Sequence, residues 1–262
     1  MLYERIHKKE VCSLQRRYKT TIWIWATSVV LALALVVGGC ALYVADYYRA
    51  DLGAIEAFAA ACNVTETVVA DGVIAYGEAD AEVGLIFYPG GKVEYSAYEP
   101  LMMALAARGV LCILVEMPFH LAVLDVNAAD GLPEAFPQTD RWYIGGHSLG
   151  GSMAASYAAE HTEEFAGVVL LGAYATADLS ASSLSVLSLY GSEDTVMNRE
   201  KYEKYKKNLP ANLTETVLEG GCHAYFGMYG RQKGDGEPAM SAEEQICASA
   251  EHMANFMLKG ER

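Results

Sequence analysis

Between residues 20 and 45 the chain carries no charge and is mostly apolar, whereas from residue 63 onward short apolar runs alternate with mixed segments. As a helix rising about 1.5 Å per residue, the first run exceeds the roughly 30 Å apolar thickness of a bilayer. After it, "ADLGAIEAFAAACN" predicts a helical stalk over 49–62. "VTETVVADGVIAYGE" then predicts two strands joined at Asp71-Gly72, a hairpin pair. Further strands are predicted in "VGLIFYPGG", "VLCILVEMP", "RWYIGGHS", "FAGVVLLGAY", "LSVLSLYGSED" and "TETVLEGGCH". Helices are predicted near 95–108, from the turn after "RWYIGGHS" to about 161, near 198–207 and near 241–258. Continuously apolar strands separated by helices predict the α/β class, a mostly parallel sheet covered on both faces. The organisation expected is a basic N-terminus over 1–19, an anchor over 20–48, a stalk over 49–62 and one domain over 63–262.

Composition fits one substantial domain, with 262 residues of which 53% are hydrophobic. The net charge of -14 gives nucleic acid no electrostatic footing. Residues 1–19 hold six Lys/Arg against Glu4 and Glu10, which leaves 13 basic and 31 acidic residues, a net -18, in the rest of the chain. Such asymmetry around an uncharged run predicts a single-pass anchor with the N-terminus in the cytoplasm and the domain outside the cytoplasmic membrane. Trp23 and Trp25 at one end, and Tyr43, Tyr47 and Tyr48 at the other, suit the two membrane interfaces. The competing readings are a buried core helix, a cleaved signal peptide and lipidation at Cys40 of "VGGC". Cys12, Cys40, Cys62, Cys112, Cys222 and Cys247 show no paired spacing, so neither a zinc site nor a disulfide framework is read from them.

The chemistry begins at "YIGGHSLGGSMAASYAAEH", where Gly146-His147-Ser148-Leu149-Gly150 fits G-x-S-x-G between a strand and an alanine-rich helix. So tight a turn strains the serine backbone and holds its hydroxyl over the carboxyl edge of the sheet, and glycines let strand and helix approach. A serine hydroxyl needs a base, and the base an acid. Among six histidines, His223 in "EGGCHAYFG" follows the last strand; His120 is the runner-up. Asp194 closes "LSLYGSED" and is the expected acid, with Glu193 and Asp178 as alternatives. Ser148, Asp194 and His223, each after a different strand, are the predicted catalytic residues.

On "GGHSLGG", "YGSED" and "GGCHAYFG" in that order, residues 63–258 resemble the α/β-hydrolase superfamily. "FYPGGKVEY" and "GGCHAYFGMYGRQKGDG" are similar to membrane-anchored bacterial members of the dienelactone-hydrolase and esterase branch. That resemblance implies an α/β-hydrolase fold, a Ser-His-Asp triad, no metal, no organic cofactor, and hydrolysis of an ester or related acyl bond. It names no substrate. Many relatives carry His-Gly after the third strand, where this chain has Tyr88-Pro89-Gly90-Gly91-Lys92. An oxyanion hole needs two backbone N–H donors, one from Leu149 and one from this loop. Pro89 has none to give, so Gly90 or Gly91 is expected, with Lys92 as a further candidate.

Only "ATADLSASS" stands where lipid-cleaving relatives often insert a lid. An open pocket is expected, walled by Lys92, Tyr95, Met117, Tyr225 and Phe226, with Tyr98 and Tyr229 as further aromatic candidates. A small or surface-exposed acyl ester fits such a pocket better than a triglyceride. Acyl transfer or peptidase chemistry on cell-envelope material, and a non-catalytic interaction module on the same fold, are the rival functions.

Overall fold

The computed structural model describes residues 2–259, in two compact units, 1–46 and 47–262. The side chains of Arg5, Lys8, Lys9, Arg16 and Arg17, and that of Cys12, lie outside the described residues. In the first unit one helix, α1, runs from Leu2 to Ala45. Within it Tyr18–Ala45 is long and apolar enough to cross a membrane, and none of that stretch is buried, which excludes the core-helix reading. Trp23, Trp25 and Leu35 are each at least 70% exposed, which suits a helix whose surroundings are apolar rather than aqueous.

The helix ends before the expected anchor does. Tyr47 and Tyr48, predicted as interfacial rings, belong to the second unit. Tyr47 packs on the His120 ring at 4.0 Å between centroids. Tyr48 forms a parallel bridge with Val93, donating its N–H to the Lys92 carbonyl (2.8 Å) and accepting from the Glu94 N–H (2.9 Å). These extended pairings satisfy backbone groups that further helix would have used. Nor is 49–62 a stalk. Helix α2 (Leu52–Ala61) starts where the Asp51 side chain accepts the Ala54 N–H, and it buries Ile55 and Phe58 in the core. Residues three apart on one helix face bury together, and each such side chain stabilises by about 1.5–3 kcal/mol.

Eight strands form one sheet: β1 (Glu66–Ala70), β2 (Val73–Tyr76), β3 (Val83–Tyr88), β4 (Val110–Val115), β5 (Arg141–His147), β6 (Gly167–Leu171), β7 (Ser185–Gly191) and β8 (Leu213–Leu218). Their order is β1-β2-β4-β3-β5-β6-β7-β8. β1 pairs antiparallel with β2, and β2 with β4; all other pairs are parallel. Alternation along β3 divides the core, with Val83, Leu85 and Phe87 on one face and Ile86 and Tyr88 on the other. The first face is covered by α2, α3 (Glu99–Ala106) and α6 (Ala242–Leu258), the second by α4 (Leu149–Glu160) with Ala154, Ala155 and Ala158 inward. A short helix, α5 (Arg199–Tyr205), buries Tyr202 beside Tyr190 and Met197.

No element is predicted over 119–140, and between Pro118 and Ala135 the chain makes three short 3-10 turns. Tyr88 pins this excursion, its hydroxyl donating to the Val126 carbonyl (2.8 Å) and accepting the Ala129 N–H (2.9 Å). Because β3, β5, β6, β7 and β8 are parallel, the loops after them emerge at one edge of the sheet.

Glu99 opens α3, where a carboxylate should favour the helix N-terminus, yet burial, reinforced by Glu66 and Glu94, pushes its carboxyl up to about 7 from 4.5. The folded chain therefore binds more protons than the unfolded chain between those values, and stability falls as pH rises through that window. Glu99→Gln should raise Tm above pH 7, by about 2–4 °C for about 1 kcal/mol after allowance for solvent screening. It should give no gain at pH 4.5, as read by thermal denaturation of the full chain in detergent.

Candidate active site

Four loops converge at the carboxyl edge, and the turn between β5 and α4 is the tightest. Ser148 sits at φ 52°, ψ -117°, a conformation that costs a non-glycine residue about 1–3 kcal/mol. Its N–H donates to the Leu171 carbonyl (2.9 Å) and its carbonyl accepts from Ser152 (3.1 Å). A Cβ at Gly146 would lie 2.4 Å from the Tyr88 carbonyl oxygen, and one at Gly150 2.2 Å from those of both Tyr88 and Pro89. Only glycine permits β3, β5 and α4 to meet at this distance. Ser148 is partly exposed and does not cap α4, so the Leu149 amide heads a helix with an uncapped N-terminus.

Asp194 and His223 are brought into direct contact. His223 Nδ1 lies 2.8 Å from Asp194 Oδ2, with both side chains almost wholly buried. The other carboxylate oxygen accepts from the Val196 (3.0 Å) and Met197 (2.8 Å) amides. A carboxylate so placed fixes the imidazole tautomer with the proton on Nδ1 and the lone pair on Nε2. Gly172 (φ 51°) lies against the pair, its missing Cβ only 3.0 Å from His223 Nδ1. The Ser148 hydroxyl makes no hydrogen bond among the described residues. It is placed next to His147, whose ring is 4.4 Å from that of His223.

The loop after β3 uses up its amides one by one. Gly90 donates to the Tyr98 hydroxyl (3.1 Å), Lys92 to the His120 carbonyl (2.8 Å), Val93 to the Gly90 carbonyl (3.3 Å) and Glu94 to Tyr48. Gly90 and Lys92, both expected as oxyanion donors, are thus engaged inside the protein. Gly91 alone in the loop keeps an N–H with no partner among the described residues, and it abuts Leu149, since a Cβ there would meet Leu149 Cδ2 at 2.9 Å. Tyr98 in turn lies 2.7 Å from His147 Nδ1. The same hydroxyl thus bridges the Gly90 amide and the His147 ring, whose buried Nε2 has no partner among the described residues. Burial, then the nearby His223, holds His147 well below the ordinary histidine range.

Two clamps around His223 escape sequence reading. Buried Gln245 of α6 accepts from the Cys222 N–H (2.9 Å) and donates to its carbonyl (2.7 Å), while Asp235 accepts from the Ala224 N–H (2.8 Å). Gln245 stands on the buried face of α6 with Ile246, Ser249 and Met253, and a polar residue on an apolar helical face was the available signal.

The alternatives stand apart. His120 packs on Tyr47, and its buried Nδ1 has no partner. Asp178 is exposed and closes a turn onto Ser180, and exposed Glu193 accepts from Ser192. Several expected pocket walls are core instead. Met117 and Phe226 are buried, with Phe226 against the His147 ring, and Tyr98 and Tyr229 are buried as well. Half-buried Tyr225 lines a cavity of about 410 Å³ with Asp51, Phe58 and Met228. Tyr95 lies among Glu116, Glu99, Glu94 and Asp71 near the hairpin. Cys40, Cys62, Cys112, Cys222 and Cys247 carry free thiols.

A sequence profile of the alpha/beta hydrolase family matches residues 84–247. No curated protein matches the chain. Among solved structures, a predicted CIB-like hydrolase from Thermoplasma acidophilum is similar in fold, with a TM-score of 0.51 and 13% identity over 74% of this chain and 99% of that one. With its strand order, elbow and most of its sheet inside the matched segment, the chain belongs to the alpha/beta hydrolase family.

Proposed function

We propose that this hydrolase is a membrane-anchored serine esterase acting through Ser148, His223 and Asp194. The observation that carries this reading is the buried Asp194–His223 pair at the same sheet edge as the strained Ser148 turn. In this scheme His223 Nε2 takes the Ser148 proton as Oγ attacks the ester carbonyl, and the amides of Leu149 and Gly91 hold the resulting oxyanion. Collapse expels the alcohol, which takes the proton from His223 and leaves an acyl-Ser148. Water, deprotonated by His223, then attacks that acyl group, and the second collapse releases the acid and restores the serine. Each oxyanion donor contributes about 3–4 kcal/mol of transition-state stabilisation. That the Ser148 hydroxyl makes no hydrogen bond among the described residues is compatible with this role, because catalytic hydrogen bonds often tighten only in the substrate complex. The basic N-terminus and the 28-residue apolar stretch support an anchor with the globular unit outside the cytoplasmic membrane.

Ser148→Ala and His223→Ala should each lower kcat on a p-nitrophenyl ester by at least about 10⁴-fold, and the double variant should be little worse, since the residues act as one unit. Asp194→Asn should cost about 10⁴-fold or less, because His223 keeps its place but loses tautomer control. Asp178→Asn and Glu193→Gln are the controls and should stay within about threefold. Fluorophosphonate labelling should vanish with Ser148→Ala and slow steeply with His223→Ala, because the probe reacts with the activated serine, while the two controls should label as the parent does. A His223→Ala variant that is folded and fully active would refute the base assignment.

Topology is tested separately. In right-side-out vesicles, added protease should digest the globular unit and leave a short anchor fragment. Full protection would reverse the orientation.

A further inference from the structure

The exposed apolar side chains of the globular unit are concentrated. Seven large ones are exposed among its described residues, and three of them, Phe119 (64%), Val123 (53%) and Leu124 (55%), share one pair of turns. A fourth, Leu52, follows the tether. Phe119 and His120 are consecutive non-glycine residues at φ 53° and 59°. Two such conformations in a row persist only where surroundings impose them, and they point to function when the strained segment holds a phenylalanine in solvent.

That segment is tied on both sides. The Tyr47 ring rests on His120, and the His120 carbonyl holds the Lys92 N–H of the loop that carries Gly91. The apolar turns are thus one residue from both the tether contact and the loop beside Ser148. Ala45 ends the long apolar helix and only Asp46 separates it from Tyr47. Two peptide units reach about 7 Å at most, whatever the angle between the units. From Trp25 to Tyr43 the helix covers about 27 Å, close to the apolar thickness of a bilayer, so Tyr47 cannot leave the membrane interface. Arg49, stacked over the Tyr47 ring at 4.8 Å, and Lys92 are the only basic residues between Lys19 and Arg108. In an otherwise acidic unit, both lie beside the tether, where phospholipid headgroups would be met.

We infer that the Phe119, Val123 and Leu124 turns seat in the bilayer that the chain's own span crosses, and that the ester cleaved at Ser148 is carried by a lipid of that membrane. The inference rests on the membrane-anchored hydrolase reading and narrows its substrate class. It also gives the short "ATADLSASS" connection a physical sense, since an apolar bilayer pressed to the rim excludes water from the site as a lid otherwise would.

The test uses the full chain in phosphatidylcholine vesicles containing phosphatidylglycerol. In a Trp23→Phe, Trp25→Phe background, the indole introduced by Phe119→Trp should emit at shorter wavelength than a tryptophan standard in buffer. It should also be quenched by acyl-brominated lipid, with buried Trp142 (6% exposed) as a constant background. In the parent chain, quenching of Trp23 and Trp25 reports the span independently. Quenching of Trp23 and Trp25 in the parent, with no quenching of the indole in the Phe119→Trp variant, would overturn the inference while leaving the anchor intact. Unquenched Trp23 and Trp25 would remove the anchor and the inference with it. A Phe119→Ser, Val123→Ser, Leu124→Ser chain should lose at least about tenfold in kcat/KM on a vesicle-borne lipid ester but keep its rate on a soluble p-nitrophenyl ester within about twofold. Equal losses on both substrates, or none on either, would overturn it, and a parent chain inactive on the soluble ester would refute the hydrolase reading instead.

Discussion

Everything at the carboxyl edge depends on a contact made without side chains. Gly146 and Gly150 bring β5 and α4 against the Tyr88 and Pro89 carbonyls at distances that no Cβ tolerates. That contact forces the chain to turn within one residue, and Ser148 absorbs the turn at φ 52°. It also fixes where β3 ends relative to α4, which sets Gly91 against Leu149. A looser junction would separate the two amides that the proposed chemistry needs as a pair, because oxyanion donors act only within about 3 Å of the developing charge.

Around this junction the polar groups are nearly all committed. Tyr98 takes Gly90, His120 takes Lys92, and Tyr48 takes both Glu94 and the Lys92 carbonyl. The residues just past the apolar helix therefore belong to the site's supporting structure, since Tyr48 acts as a short extra strand along the Gly90–Glu94 loop. The region where a tether would be expected to swing freely is bonded to the loop that borders Ser148.

The sheet was legible because its strands are continuous apolar runs bounded by glycine, and the elbow because its glycines are close together in sequence. Asp194 and His223 could be read from chain order, since each follows a strand. The 119–140 excursion left no period to read, and distant hydroxyls hold it, that of Tyr88 on Val126 and Ala129 and that of Tyr157 on Asp130. The stalk reading failed because α2 is apolar enough to extend a span, and burial of Ile55 and Phe58 against the core outweighed that continuity. Gly90 and Gly91 are indistinguishable by sequence. Tyr98, eight residues further along, separates them by occupying one amide.

His147 shows why a buried, unused titratable group is compatible with a working neighbour. Its ring lies 4.4 Å from His223, so two cations there would repel strongly in a site of low dielectric. Burial already favours the neutral form of His147, and the Tyr98 hydroxyl holds its Nδ1 at 2.7 Å. The group beside His223 is thus an uncharged dipole held from the far side, and in the proposed mechanism it would add no opposing charge to a His223 imidazolium. Asp194 supplies the stabilising charge from the other side, with three donors on its two oxygens. The site is therefore asymmetric about His223, with a carboxylate on one flank and a neutral imidazole on the other. That asymmetry suits the role proposed for His223, a base that would gain and lose a proton within each turnover.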